Sequence, residues 1–296
     1  MSFITTSTLS DRCMDPKIPF LETALNLQQA KCQFCKFIPD IQQVTAANLL
    51  RHKLGRRALI EYRIDTHRGP LTLLGKIRAK GTDYTSYYVQ HALWKQGFND
   101  NSTDGYSVPQ PVSVIPEWRM WLQRKVSGVS ATKLLATSDG VAVCRRIAGL
   151  AHNLHGTPMP TAKQQTLTDE LTILQTRLPQ VVQKYPHWQH RVEKILNACN
   201  HLVANHSAAG QTAVGIHRGF YGDQVLIDCD RVWLVDLDLY CQGHSALDIG
   251  NFIAHITEQS LRETGNPDAM KDREAALRDT FIETCSTLGL SANSLR

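Results

Sequence analysis

Between residues 57 and 78 apolar and charged positions intermix over two short runs. RRALIEYRID sets Leu59 and Tyr62 among charged neighbours, THRGP has turn composition, and LTLLGKIRAKG forms a second run. Strand-like runs joined by so few residues predict an antiparallel meander, because a parallel pair needs a crossover of roughly a dozen residues or more. Tyr84–Gln96 (YTSYYVQHALWKQ) has helical spacing, with Tyr84, Tyr88, His91 and Lys95 on one face, and Gly97 ends it. Residues 97–111 have loop composition, and PVSVIPEWRMWLQRKV predicts a strand pair running into Val126.

After Gly128 the spacing turns helical. Val143, Ile147, Leu150 and Leu154 recur on one face, with Asp139 placed to cap the helix and Gly156 and Pro158 to end it. Two more helices are predicted near 169–185 and 188–206, the second burying Trp188, Val192, Ile195, Cys199 and Leu202. SAAGQT reads as a turn-rich loop. Ser245 is placed to cap a helix bearing Leu247, Phe252, Ile253 and Ile256, and a last helix covers about 268–288. At the front, residues 1–16 are polar and expected to be poorly ordered. Pro19–Phe37 predicts one amphipathic helix outside the first lobe. The order defines an α+β chain of two lobes. The expected divisions are an extension over 1–40, a sheet lobe over 41–126 and a helical lobe over 127–296.

Composition narrows the partners. A net charge of +5 over 296 residues is too small and too dispersed for a nucleic-acid surface. No apolar run approaches the roughly 20 residues of a membrane helix, and MSFITTSTLSDRCMD lacks a secretory pattern, so a cytoplasmic location is the expectation. Cys144, Cys199, Cys241 and Cys285 fall in apolar or helical patterns and read as reduced, buried thiols. Cys32 and Cys35 form a lone C-x-x-C, read as two ordinary thiols on one helix. A metal or redox site there is a distant alternative, without a second ligand pair nearby.

The chemistry concentrates in residues 215–252, GIHRGFYGDQVLIDCDRVWLVDLDLYCQGHSALDIGNF. Val225–Ile227 and Val232–Val235 are strand runs, with Asp228, Cys229, Asp230 and Arg231 turning between them. Gln224 precedes the first strand, and Asp236 and Asp238 follow the second. An amide oxygen and acids converging on one end of a hairpin suit a hard divalent cation.

This layout resembles the catalytic segment of the aminoglycoside phosphotransferase family, within the protein-kinase-like fold. In such sites a loop Asp accepts the proton of the substrate hydroxyl, while an Asn and a second Asp hold magnesium. By this resemblance His217 matches the loop His, Gln224 the Asn and Asp236 the metal Asp, with Asp238 a possible second ligand. GHSALDIGNF looks like the family's GDPALDLGNF, with Asp248 on the second acid, expected to sit at a helix N-terminus among free amides. Lys76 matches the phosphate-binding strand lysine, and Arg124, Lys125 and Val126 the hinge whose backbone meets the adenine ring. The resemblance implies ATP and Mg2+ as cofactors and a small polar hydroxyl-bearing acceptor, and sets neither the acceptor nor the oligomeric state.

Departures from the family pattern bear on activity. Gly219 stands where the catalytic Asp belongs, His244 replaces the first Asp of GDPALD, and no acid between Tyr84 and Asn99 is available to pair with Lys76. Asp223 is a candidate substitute base, although it adjoins Gln224 and is expected to point differently. Gln90 is the residue placed to hydrogen-bond Lys76, and Arg218 to face a phosphate or a surface carboxylate. Two readings follow: an impaired small-molecule phosphotransferase, or a pseudokinase-like nucleotide- or metabolite-binding module.

Overall fold

Leu21–Leu25 (α1) and Leu27–Phe34 (α2) open the computed structural model, which describes residues 15–159, 161–205 and 213–285. The expectations for residues 1–14, for the SAAGQT loop and for the chain beyond Cys285 lie outside the described residues. One compact unit extends to Ser127 and a second begins at Gly128.

The first unit contains β1 (Ile41–Lys53), β2 (Arg57–Thr66), β3 (Gly69–Arg78), α3 (Tyr84–Lys95), β4 (Tyr106–Ser107), β5 (Pro111–Ile115) and β6 (Met120–Arg124). Its five-stranded sheet has the order β1-β2-β3-β6-β5, every neighbouring pair antiparallel. The β2–β3 meander and the β5–β6 pair stand as the sequence predicts. β1 escaped the pattern because it buries little: Val44 is its one buried residue, and three register shifts interrupt its alternation.

One sheet face, with Ala58, Ile60, Tyr62, Ile64, Leu73 and Ile77, forms a core with Leu21, Ala24, Ala30 and Phe34 of the first two helices. The Tyr62 hydroxyl donates to the Ala24 carbonyl at 2.8 Å, and the Phe34 ring meets the Tyr62 ring edge-on at 4.9 Å. The single helix expected over 19–37 is therefore two. Asn26 separates them and accepts the amides of Gln28 and Gln29, an N-cap that apolar spacing alone does not reveal. Cys32 and Cys35, at the end of α2, are exposed free thiols.

Asp15 ties the start of this unit to the β1–β2 turn. It is 4% exposed and accepts the Gly55 amide at 2.8 Å, the Lys17 amide at 3.0 Å and His52 Nε2 at 2.9 Å. Burial opposes its ionisation, but the Gly55 amide, His52 and the Lys17 amide prevail and hold its carboxyl below the ordinary value. A depressed folded-state value gives stability that is present above the unfolded pKa, about 3.9, and lost as pH falls through the folded value. Thermal unfolding of wild type and Asp15→Asn between pH 6 and pH 2.5 is expected to show a wild-type advantage at the upper end that shrinks below about pH 4. A pH-independent difference rules this ionisation out as the cause.

The second unit contains β7 (Val129–Ser130), α4 (Ala131–Leu135), α5 (Gly140–Gly156), β8 (Gln164–Gln165), α6 (Leu167–Lys184) and α7 (Gln189–Asn205). It continues with β9 (Val214–Ile216), β10 (Val225–Asp228), β11 (Arg231–Leu234), β12 (Cys241–Gly243), α8 (Ala246–Thr264) and α9 (Lys271–Cys285). Ile147, Leu150 and Leu154 of α5 are buried, as are Phe252 and Ile256 of α8 and Leu277 and Phe281 of α9. Asp139 precedes α5 without a side-chain cap bond. The buried face expected for α7 reduces to Val192; Trp188, Ile195 and Leu202 are exposed, and Cys199 is half-buried. α6 and α7 pack on each other as a hairpin, and α6 buries no residue fully, so the apolar spacing of α7 does not translate into core.

Candidate active site

The segment from His217 to Phe220 is held from below by α8. Asp248, fully buried, accepts the amide of His217 at 2.8 Å, the amide of Arg218 at 2.7 Å and His155 Nε2 of α5 at 2.9 Å. Asn251 Nδ2 donates to the Phe220 carbonyl at 2.9 Å, and the rings of Phe220 and Phe252 lie 5.0 Å apart. The LDIGNF run is thus a clamp on the loop. The amides that meet Asp248 belong to the loop and not to the start of its own helix, which corrects the expected helix-terminus role. That start is met instead by His244, whose Nδ1 accepts the Ala246 amide at 3.1 Å, while Ser245 makes no side-chain cap bond. His155 is the buried partner of Asp248.

His217 is 1% exposed, and its Nε2–H donates to the Val235 carbonyl at 2.9 Å. Its ring therefore ties the loop to the residue before Asp236. Arg218 adopts left-handed backbone geometry (φ 65°) and pairs through Nε with Glu170 of α6 at 2.9 Å, the surface-carboxylate option of the two read from sequence. Gly219 is half-buried. A Cβ built there would meet Leu239 Cδ1 at 3.4 Å and His217 Nδ1 at 3.7 Å, both ordinary contacts.

The β10–β11 hairpin stands where expected, with Val225 opposite Leu234; Asp228 and Arg231, read from sequence as turn residues, are its last strand pair around the two-residue turn Cys229–Asp230. Beyond the last pair, the Val235 amide donates to the Gln224 carbonyl at 2.9 Å. That bond puts Gln224 and Asp236 at one end of the hairpin. Tyr221 accepts Gln224 Nε2 at 2.9 Å and so orients the amide of Gln224. Asp236 is half-buried in left-handed geometry (φ 64°), and Asp238 follows in the short 3-10 turn Leu237–Leu239. Left-handed non-glycine residues cost about 1–3 kcal/mol each and gather where a site needs them; of the four among the described residues, Arg218 and Asp236 flank this loop and hairpin. Among the described residues no three His, Cys, Asp or Glu side chains converge. One carboxylate with an amide oxygen still fits magnesium, which is usually held by one or two protein ligands together with substrate phosphates.

Asp223 serves elsewhere. Its Oδ1 accepts Ser130 Oγ at 2.9 Å and Thr132 Oγ1 at 2.7 Å, anchoring the start of α4. Gly222 next to it has no room for a Cβ, which would lie 2.5 Å from Thr132 Oγ1.

In the first unit, Lys76 on β3 places its Nζ 4.6 Å from the centre of the Trp121 ring on β6. Gln90 does not bond Lys76. It is 1% exposed, its Nε2 donates to the Pro109 carbonyl at 2.6 Å and to Gln123 Oε1 at 3.2 Å, and its Oε1 is buried without a partner among the described residues. The Pro109 carbonyl takes the amide that the sequence offered to the lysine. In the expected hinge, the Arg124 amide donates to the Gln110 carbonyl and the Lys125 amide to the Thr72 carbonyl, both at 2.8 Å. The Arg124 side chain pairs with Asp100, and Lys125 with the buried Glu61, a residue that the sequence analysis did not single out. Val126 follows outside any strand or helix, half-buried.

No family model matches the chain, and no curated protein matches it in sequence. Solved structures match its fold. Spectinomycin phosphotransferase with ADP and spectinomycin has a TM-score of 0.59 at 10% identity, covering 92% of this chain and 89% of that one. Choline kinase from Cryptosporidium parvum Iowa II has a TM-score of 0.56 at 13% identity, covering 88% of each chain. An amicoumacin kinase in complex with AMP-PNP, Ca2+ and Ami has a TM-score of 0.56 at 11% identity, covering 89% of this chain and 79% of that one. The chain has the α+β fold of the aminoglycoside phosphotransferases and choline kinases: an antiparallel five-stranded sheet followed by a helical lobe.

Proposed function

We propose that this protein is a nucleoside-triphosphate-dependent small-molecule kinase that transfers a phosphoryl group slowly to a hydroxyl of a small polar acceptor. The observation that carries the proposal is the preserved scaffold of the loop. Asp248, Asn251 and His217 tie residues 217–220 to the end of the hairpin where Gln224 and Asp236 meet. The matching structures that contain ADP or AMP-PNP support the nucleotide. When bound, magnesium supplies charge neutralisation between phosphates; Gln224 and Asp236 are the residues to hold it, with Asp238 beside them. Lys76 and its neighbours offer positive charge to the phosphates, and His217 acts as a positioning residue. Phosphoryl transfer rests mainly on positioning and electrostatics, so a loop without a proton acceptor loses rate before it loses all function.

Gly219 favours a second reading, a nucleotide- or metabolite-binding module without transfer, since no side chain at that position accepts a proton and Asp223 is engaged elsewhere. Both readings require metal-dependent nucleotide binding. Thermal shift with ATP, and in parallel GTP, is expected to show a stabilisation that is larger with magnesium than with a chelator. Asp236→Ala is expected to lose the magnesium-dependent part and keep the rest. A mutant with the full shift removes Asp236 from the metal site. A wild type with no shift for either nucleotide defeats both readings.

A further inference from the structure

On the sheet face opposite the first core, Glu61 of β2 stands opposite Asn48 of β1 and Leu74 of β3, and Leu74 stands opposite Gln123 of β6. The row thus ends one residue before the 124–126 stretch. Glu61 is 5% exposed, a setting in which a carboxylate must be paired. Lys125 Nζ donates to Glu61 Oε2, Arg63 Nε lies 3.6 Å from Glu61 Oε1, and the Asn48 side chain also hydrogen-bonds the carboxylate. The hydrogen bond from Lys125 is the foremost influence on the Glu61 carboxyl and outweighs the opposing effect of burial, holding it below the ordinary range, so Glu61 is ionised at neutral pH. The Lys125 side chain is 46% exposed. The result is a sheltered anion under an ammonium that solvent reaches, at the edge of the segment assigned to the base.

We propose that Glu61 and Lys125 read the edge of the nucleotide base and select guanine over adenine, an inference that rests on the nucleotide-dependent reading above. The amides of Arg124 and Lys125 are already bonded to Gln110 and Thr72, which gives the side chains at this edge a part in distinguishing the base. Guanine presents the O6 acceptor beside the N1–H and amino donors. An ammonium beside the two oxygens of a carboxylate supplies the complement, a donor beside two acceptors. Adenine presents one amino donor beside one acceptor, so it offers the carboxylate one hydrogen bond where guanine offers two. A site built to accept hydrogen bonds from its ligand rejects the analogue that lacks the donors.

The test is calorimetric binding of GDP and of ADP, each with magnesium, to the full chain and two variants. Wild type is expected to bind GDP at least about tenfold more tightly than ADP, the lower range for one bidentate base contact. Glu61→Gln keeps the shape and is expected to remove most of that preference, by weakening GDP while leaving ADP near wild type. The double variant Glu61→Gln with Lys125→Met leaves no buried charge unpaired at the site and is expected to bind both diphosphates equally; it provides the readout should Glu61→Gln unfold. Equal or tighter ADP binding by wild type overturns the proposal alone. A GDP preference that survives both variants removes these residues from base selection. Binding of neither diphosphate overturns the kinase reading together with this one.

Discussion

Asp248→Ala is expected to destabilise the second unit by about 3 kcal/mol or more, because it leaves three buried donors without an acceptor at about 1–3 kcal/mol each. Three donors lose their acceptor at once: His155 Nε2 and the amides of His217 and Arg218. Asp248 and the His155 side chain are both 0% exposed, so water does not replace the carboxylate without a change in packing. Denaturant unfolding measures the loss, and comparison with Asp248→Ala/His155→Phe divides it. The double variant removes the stranded imidazole and puts an apolar ring beside Phe281, which already meets His155 edge-on at 5.5 Å. Stability is expected to recover in part, while magnesium-dependent nucleotide binding does not, because the two loop amides remain without their acceptor. An Asp248→Ala loss below about 1 kcal/mol, the scale of one ordinary hydrogen bond, contradicts the role of Asp248 as the clamp of the loop.

This clamp also shows what a sequence discloses. The spacing from His217 through Gln224 to Asp236 was legible because the hairpin between them is local: four-residue strands around a two-residue turn put its ends together whatever surrounds them. The function of Asp248 was legible only as an acid at a helix start, because the amides it accepts lie 30 and 31 residues away. Its third donor, His155, is 93 residues away, and no periodicity connects it to Asp248. The same limit hid Glu61, which met the reading as one charged residue in a half-polar strand and is buried by Lys125, 64 residues on. β1 was missed for a different reason: a strand that buries only Val44 has no alternation to detect. In α7 the error ran the other way, since apolar spacing marks a face capable of burial and α6 covers only part of it.

Gly219→Asp is expected to raise turnover by up to about 10²–10⁴-fold, the usual contribution of a general acid or base. The backbone permits the change, since φ at Gly219 lies outside the left-handed region that favours glycine. The side chain also has space, with Leu239 Cδ1 at 3.4 Å and His217 Nδ1 at 3.7 Å from the new Cβ. Leu239 is exposed, so its methyl can yield, and the His217 ring is fixed by its bond to Val235. Because Nε2 carries the proton donated to that carbonyl, neutral His217 presents a lone pair at Nδ1, and the carboxylate is expected to turn away from it. The loop backbone is already held by Asp248 and Asn251, so the substitution adds the missing acceptor without having to build the loop. Release of inorganic phosphate from ATP and from GTP is the measurement, with water as a poor acceptor and the nucleotide saturating. Double substitution with Asp236→Ala is expected to abolish the gain, which separates transfer at this site from a contaminating phosphatase. A gain that vanishes with Asp236→Ala identifies an impaired kinase. Unchanged turnover with intact nucleotide binding identifies a binding module.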